Sequence, residues 1–158
     1  MSQHLATVYW QRNGVTFTDN QYSREHLWQF DGGVKIAASA SPHNVREPYA
    51  NPACVDPEEA FVASLSSCHM LWFLAIAAKL KFVVESYTDQ AVGVLEQNEN
   101  GNLVITQVHL RPHIIFTGEH QPTNHQVEEM HEAAHHHCFL ANSVRTQIVV
   151  ETIASSPA

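Results

Sequence analysis

The sequence predicts an α+β fold in which antiparallel sheet packs against two helices. Three observations carry that reading. The opening third of the 158-residue chain alternates polar and apolar residues between glycine turns. A capped, almost wholly apolar run follows from 57 to about 80, and a second capped run ends near 137. Extended segments lie between and after these runs, so the order is β-meander, helix, β-hairpin, helix, strand. At 44% hydrophobic content the chain supports one ordinary core, and it reads as a single domain, 1–158, with a short polar tail at 155–158.

Segments 5–12 and 15–18 flank Asn13-Gly14, and 25–30 and 34–38 flank Asp31-Gly32-Gly33, both hairpin signals because glycine reaches positive φ cheaply. Residues 39–56 carry Pro42, Pro48 and Pro52 without a period and form a long loop of the kind that often serves function. Asp56 then offers an N-cap oxygen, Pro57 suits the first helical position, and Glu59 completes a capping-box pattern. Apolar residues surround the run that follows, so this helix is expected to be enclosed by other elements. Segments 83–96 and 103–117 read as strands joined at Asn100-Gly101, which suits a type I′ turn. Val104, Val108, Leu110, Ile114 and Phe116 share one face of the second strand, with Pro112 marking a bulge or an unpaired edge position. Thr123 and Gln126 form another capping box, and 144–153 closes the chain as a strand.

Composition excludes several classes of function. A formal charge of -8, from eight Lys plus Arg against sixteen Asp plus Glu, leaves no basic stripe for nucleic acid. The apolar run approaches membrane-spanning length, yet Ser64, Ser66, Ser67, Cys68, His69 and Lys79 interrupt it, so a buried helix is expected and no membrane. The N-terminus lacks the basic flank and apolar core of an export signal, and the expected address is the cytoplasm. Three cysteines, Cys54, Cys68 and Cys138, with no CxxC pair are not a secreted disulfide framework, so free thiols are expected at rest.

A cysteine in an apolar run is ordinarily an inert core residue. Here, however, VDPEEAFVASLSSCHMLWFLAIAA surrounds Cys68 and AAHHHCFLANSV surrounds Cys138, with strand-like SYTDQAVGVLE after the first helix. In these segments the chain resembles the OsmC/Ohr family, the osmotically inducible protein C and organic hydroperoxide resistance proteins, from about Tyr22 to Ile153. The resemblance implies an intertwined homodimer with sheets wrapped around central helices and two active sites at the subunit interface. It also implies a peroxiredoxin-like thiol peroxidase of oxidative-stress defence that reduces organic hydroperoxides, and hydrogen peroxide less well, to alcohols. By position, Cys68 is the peroxidatic cysteine, Cys138 the resolving cysteine, and Glu58 the carboxylate that partners an arginine. Arg24 is the preferred arginine and Arg46 its competitor. Many relatives carry proline after the second cysteine, where this chain has Phe139.

The implied chemistry is coherent with the residues. A free thiol has a pKa of about 8.5, and the thiolate is the nucleophile, so something must favour the anion. Cys68 lies too far along its helix for the N-terminal dipole to help, which leaves a nearby guanidinium held by Glu58. Cys138 would trap the sulfenic acid of Cys68 as a disulfide, and an external dithiol, a lipoyl-type one included, would restore both thiols. No resident cofactor or metal is called for. His69 points about a hundred degrees away from Cys68 on a helix, which argues against a Cys-His dyad. Cys54 reads as a spare thiol.

Two other readings stand beside this one. His131-Glu132-Ala133-Ala134-His135 is a literal HExxH, the pattern of a zinc hydrolase, and Cys138 shares its helical face with His131 and His135. His135-His136-His137 otherwise makes a polar helix face. The third reading is a non-catalytic protein that binds a hydrophobic ligand in the same fold.

Overall fold

The computed structural model describes residues 1–152, so the polar tail and the end of the last expected strand lie outside the described residues. The chain divides into two compact units, Met1–Ala60 and the residues from Phe61 onward.

In the first unit β1 (Ala6–Tyr9), β2 (His26–Phe30) and β3 (Lys35–Ala38) form an antiparallel sheet in that order, with Ala6 opposite Phe30 and His26 opposite Ala38. The β2–β3 hairpin is the expected one, turning at Gly33 with φ of 86°. The expected pairing of 5–12 with 15–18 is not made, and β1 pairs with β2 instead. Asn13 and Gly14 do reverse the chain at φ of 55° and 80°. Beyond them the ring of Phe17 stacks on Tyr22 at 4.6 Å and tilts against Trp10 at 5.8 Å, so aromatic packing takes the place of a ladder. The 39–56 loop is stitched by polar contacts: Ser39 Oγ accepts from Asn51 N, Asn51 Nδ2 donates to Glu25, and Val55 bridges to Ala38 in parallel.

Helix α1 (Pro57–Lys79) starts where the capping signal places it. Asp56 Oδ1 accepts from Glu59 N at 2.8 Å, and Glu59 returns the bond to Asp56 N at 3.2 Å. It ends in a Schellman turn, with Phe82 N bonded to Ala77 O, Lys81 N to Ala78 O, and Lys81 in the left-handed region at φ of 66°.

In the second unit β4 (Val83–Asp89) pairs antiparallel with β7 (Pro112–Thr117), and β5 (Val92–Gln97) pairs antiparallel with β6 (Leu103–Leu110). Both long extended segments are therefore broken in two, one at 90–91 and one at Arg111. Pro112, expected at a bulge or edge, opens β7 just past the second break. As a result the apolar face of 103–117 is divided: Val108 and Leu110 pack with Leu65, while Ile114 and Phe116 pack with Phe73, Phe82 and Met130. The β5–β6 turn differs from the type I′ expectation. Asn98 O accepts from Gly101 N, Gly101 alone takes positive φ (77°), and Asn98 Oδ1 caps the amides of Asn100 and Asn102. That is a type I turn closed by a left-handed glycine.

Helix α2 (Asn124–His137) carries the full capping box from Thr123 and Gln126. A 3-10 turn at Ala141–Ser143 follows, and β8 (Gln147–Val150) then joins β6 in parallel, giving the order β5-β6-β8. This parallel edge corrects the all-antiparallel expectation, because the chain crosses the sheet through α2 before it returns. Only the stripe Leu65, His69, Phe73 and Ala77 of α1 is buried, and Leu71 is 62% exposed, so within one chain the helix is not enclosed as expected.

Candidate active site

Cys68 and Cys138 meet. Seventy residues apart in sequence, they bring their sulfurs to 2.8 Å, with the Cys138 thiol donating to Cys68 Sγ. Both are free thiols, Cys68 half-buried and Cys138 buried. Cys68 is carried on the middle of α1, one turn after Ser64 and one turn before Trp72. Cys138 is the C-cap of α2, where its own N–H is spent on Ala134 O and His135 O. The turn beyond it is fixed by Asn142, whose backbone N and Nδ2 both donate to Cys138 O. Ala141 N donates to Cys138 Sγ at 3.4 Å, and Ser143 Oγ to Phe139 O at 2.7 Å. Phe139 therefore sits in a formed turn.

The two sulfurs differ in burial. Burial first, and then the hydrogen bond with Cys68, push the Cys138 thiol above its ordinary pKa, with the Ala141 N–H pulling the other way. Cys138 thus holds its proton, and Cys68 is the acceptor sulfur with access to solvent.

The expected carboxylate–guanidinium pair is not made. Arg24 stacks on Tyr22, 3.9 Å from guanidinium carbon to ring centroid, and gives its donors to Asn20 O, Asn20 Oδ1 and Tyr22 O. Arg46 lies 5.8 Å over the ring of Tyr49. Glu58 Oε1 accepts from Asn44 Nδ2, while Glu58 Oε2 is buried with no partner among the described residues. In this arrangement the Arg24 guanidinium is turned to residues 20–22 and makes no hydrogen bond to Glu58, and no residue pattern in the chain signals that capture. Cys54 is a half-buried free thiol in the loop.

Burial separates the members of the HExxH pattern. His131 is 4% exposed and its Nδ1 lies 2.9 Å from His69 Nε2, whereas Glu132 and His135 are exposed. Among the described residues no three His, Cys, Asp or Glu side chains are grouped to hold a metal ion. His137 stacks on Trp72 at 5.1 Å, so the histidine run is more than a polar face.

Sequence reasoning misses the His69–His131 pair. The two rings lie nearly coplanar, with 8° between their planes and 5.3 Å between centroids, and Phe73 lies 4.4 Å from the His131 ring. Burial, with the nearby His135 adding to it and Asp89 opposing, lowers the His69 pKa from 6.5 to about 4. Burial and then His69 lower that of His131 to about 3. The chain does carry a faint signal, since both histidines stand on the apolar stripes of their helices. What no local pattern supplies is that the two stripes face each other.

A two-helix α+β protein with two cysteines in contact between its helices is the class that fold and site define. The OsmC-like protein family model matches residues 50–153, and the chain belongs to that family. An OsmC-like protein of unknown function from Vibrio cholerae is 59% identical, with a TM-score of 0.95 over 97% of this chain and 100% of that one. Two further structures share the fold. An organic hydroperoxide resistance protein from Elizabethkingia anophelis, crystallised with thiocyanate bound, is 21% identical (TM-score 0.72, 99% of this chain and 98% of that one). An OsmC organic hydroperoxide resistance protein from Legionella pneumophila is 17% identical (TM-score 0.65, 99% and 98%). No curated protein matches the chain.

Proposed function

We propose that this chain is a two-cysteine thiol peroxidase that reduces organic hydroperoxides to alcohols. The observation that carries the reading is the 2.8 Å contact in which buried Cys138 donates to half-buried Cys68. The Cys68 thiolate attacks the distal peroxide oxygen, the O–O bond breaks, and the alkoxide takes a proton to leave as alcohol. Cys68 is then a sulfenic acid. Cys138 Sγ attacks that sulfur, the hydroxyl departs with the Cys138 proton as water, and a disulfide remains. Forming a bond of about 2.05 Å from the present contact needs the sulfurs to close by only about 0.8 Å. An external dithiol returns both electrons by exchange. The chemistry needs no metal or flavin.

Glu58 enters this reading as an open acceptor, since its buried Oε2 is free to receive a guanidinium. Arg24 takes that place once it leaves the 20–22 carbonyls, with Arg46 as the alternative. We also infer a homodimer, because Leu71 on α1 and Leu5, Val8 and Tyr9 on or beside β1 are large apolar residues left more than half exposed by one chain.

The test is a count of free thiols in the reduced protein before and after one equivalent of cumene hydroperoxide, with peptide mass spectrometry to locate the bond. The expected result is loss of two thiols as a Cys68–Cys138 disulfide. Retention of all three thiols overturns the reading.

A further inference from the structure

We propose that the cavity between α2 and β8 is a binding site for an organic ammonium ion, a primary amine carrying an apolar chain. The inference goes beyond the peroxidase reading and does not depend on it. The cavity, of about 310 Å³, is lined by Glu128, His131, Glu132 and His135 from α2 and by Ile148 and Val150 from β8. None of these residues belongs to α1 or β1, the elements whose exposed apolar side chains carry the homodimer.

Helical spacing builds one wall. Residues 128, 131, 132 and 135 stand at i, i+3, i+4 and i+7 and so share one face of α2. Glu128 and Glu132 place two exposed carboxylates on that face. Among the described residues Glu132 makes no ion pair, and the only one of Glu128 is the long 3.9 Å contact with His125 Nδ1. His131 is buried beside them, and its Nδ1 is taken by His69 Nε2 at 2.9 Å. The opposite edge of the ring, with Nε2, therefore faces the cavity, and Nε2 has no partner among the described residues. A proton donor in the cavity selects the tautomer in which His131 Nδ1–H donates to His69 and Nε2 offers its lone pair. The far wall is apolar, since Ile148 and Val150 pack on the core around Leu65. Two carboxylates and one imidazole acceptor match the three N–H donors and the positive charge of an ammonium group, and an alkyl chain covers the β8 wall. A metal ion needs ligands converging at about 2.0–2.2 Å, and no three such side chains converge among the described residues. An anion would face two carboxylates.

The experiment titrates the intact, reduced protein near neutral pH with n-hexylammonium, n-hexanol, ammonium chloride and zinc, followed by NMR. Hexylammonium should bind at least about tenfold more tightly than hexanol or ammonium, because it alone supplies both charge and chain. The ring-nitrogen signals of His131 should shift with the same midpoint, which locates the ligand. Glu128→Gln and Glu132→Gln should each weaken binding about three- to fivefold, and the double variant at least about tenfold. Glu129→Gln removes the same charge from a neighbouring residue that does not line the cavity, and it should change binding by less than about twofold. All three glutamates are exposed, so these variants keep the fold. The assignment is overturned if hexanol binds as tightly as hexylammonium, or if Glu129→Gln weakens binding as much as Glu132→Gln. It is equally overturned if hexylammonium does not bind, whether or not zinc does.

Discussion

The buried imidazole pair makes stability depend on pH in a calculable way. His69 and His131 are folded as neutral rings, with pKa values lowered from 6.5 to about 4 and about 3. The unfolded chain binds protons on these side chains as pH falls below 6.5, and the folded chain does not. Stability is therefore full above pH 6.5 and declines as pH falls toward the folded values. Lowering a folded pKa by one is worth about 1.4 kcal/mol, so His69 alone accounts for a loss of about 3 kcal/mol between pH 6.5 and 4. That is a large part of the roughly 5–15 kcal/mol typical of a domain. The assay is urea unfolding of the reduced protein at pH 7, 5.5 and 4.5. The control is the double variant His69→Leu/His131→Phe, which removes both polar rings together and leaves no orphaned partner. Because both rings contribute, wild type should lose at least about 3 kcal/mol more than the double variant over this range. Parallel pH profiles for the two proteins would refute the assignment of neutral, buried imidazoles.

Four other outcomes are expected. Cys138→Ser should leave a single turnover, with the sulfenic acid of Cys68 trapped by dimedone and absent from Cys68→Ser; equal labelling of both variants contradicts the assigned roles. Exhaustive chelation should leave peroxide consumption intact, and loss of activity restored by zinc would return the HExxH reading. A Cβ at Gly93 would lie 2.6 Å from Val62 Cγ2, a stiff β-branched side chain on α1, so Gly93→Ala should cost about 1–3 kcal/mol in denaturant unfolding. Lys81 holds the left-handed position that ends α1, so Lys81→Gly should stabilise by about 0.5–1 kcal/mol, and a destabilised variant would contradict that reading of the turn.

Local chemistry is legible where the interaction partners are close in sequence. Asp56 with Glu59 and Thr123 with Gln126 make both capping boxes, and the helices begin within a residue of them. The Asp31-Gly32-Gly33 hairpin forms for the same reason. Segment 15–18 misleads because alternation is also satisfied by an aromatic cluster, and Phe17 is held by Trp10 and Tyr22 where a strand partner was expected. The 83–96 and 103–117 segments mislead because period-two patterning is blind to a bend that re-pairs each half with a different partner.

The candidate site divides along the same line. Residue types at Cys68 and Cys138, with the motifs around them, carry the family and the prospect of thiol chemistry. The sequence by itself thus determined the helices, their caps, the dithiol's identity and the family, because these rest on interactions spanning a few residues. Tertiary structure alone decided that the two sulfurs touch, that Arg24 is bonded to its own loop, that His131 is bonded to His69, and that β8 runs parallel to β6. Each of these is set by which faces of distant elements meet, a choice made by the packing of the whole chain and encoded at no single position.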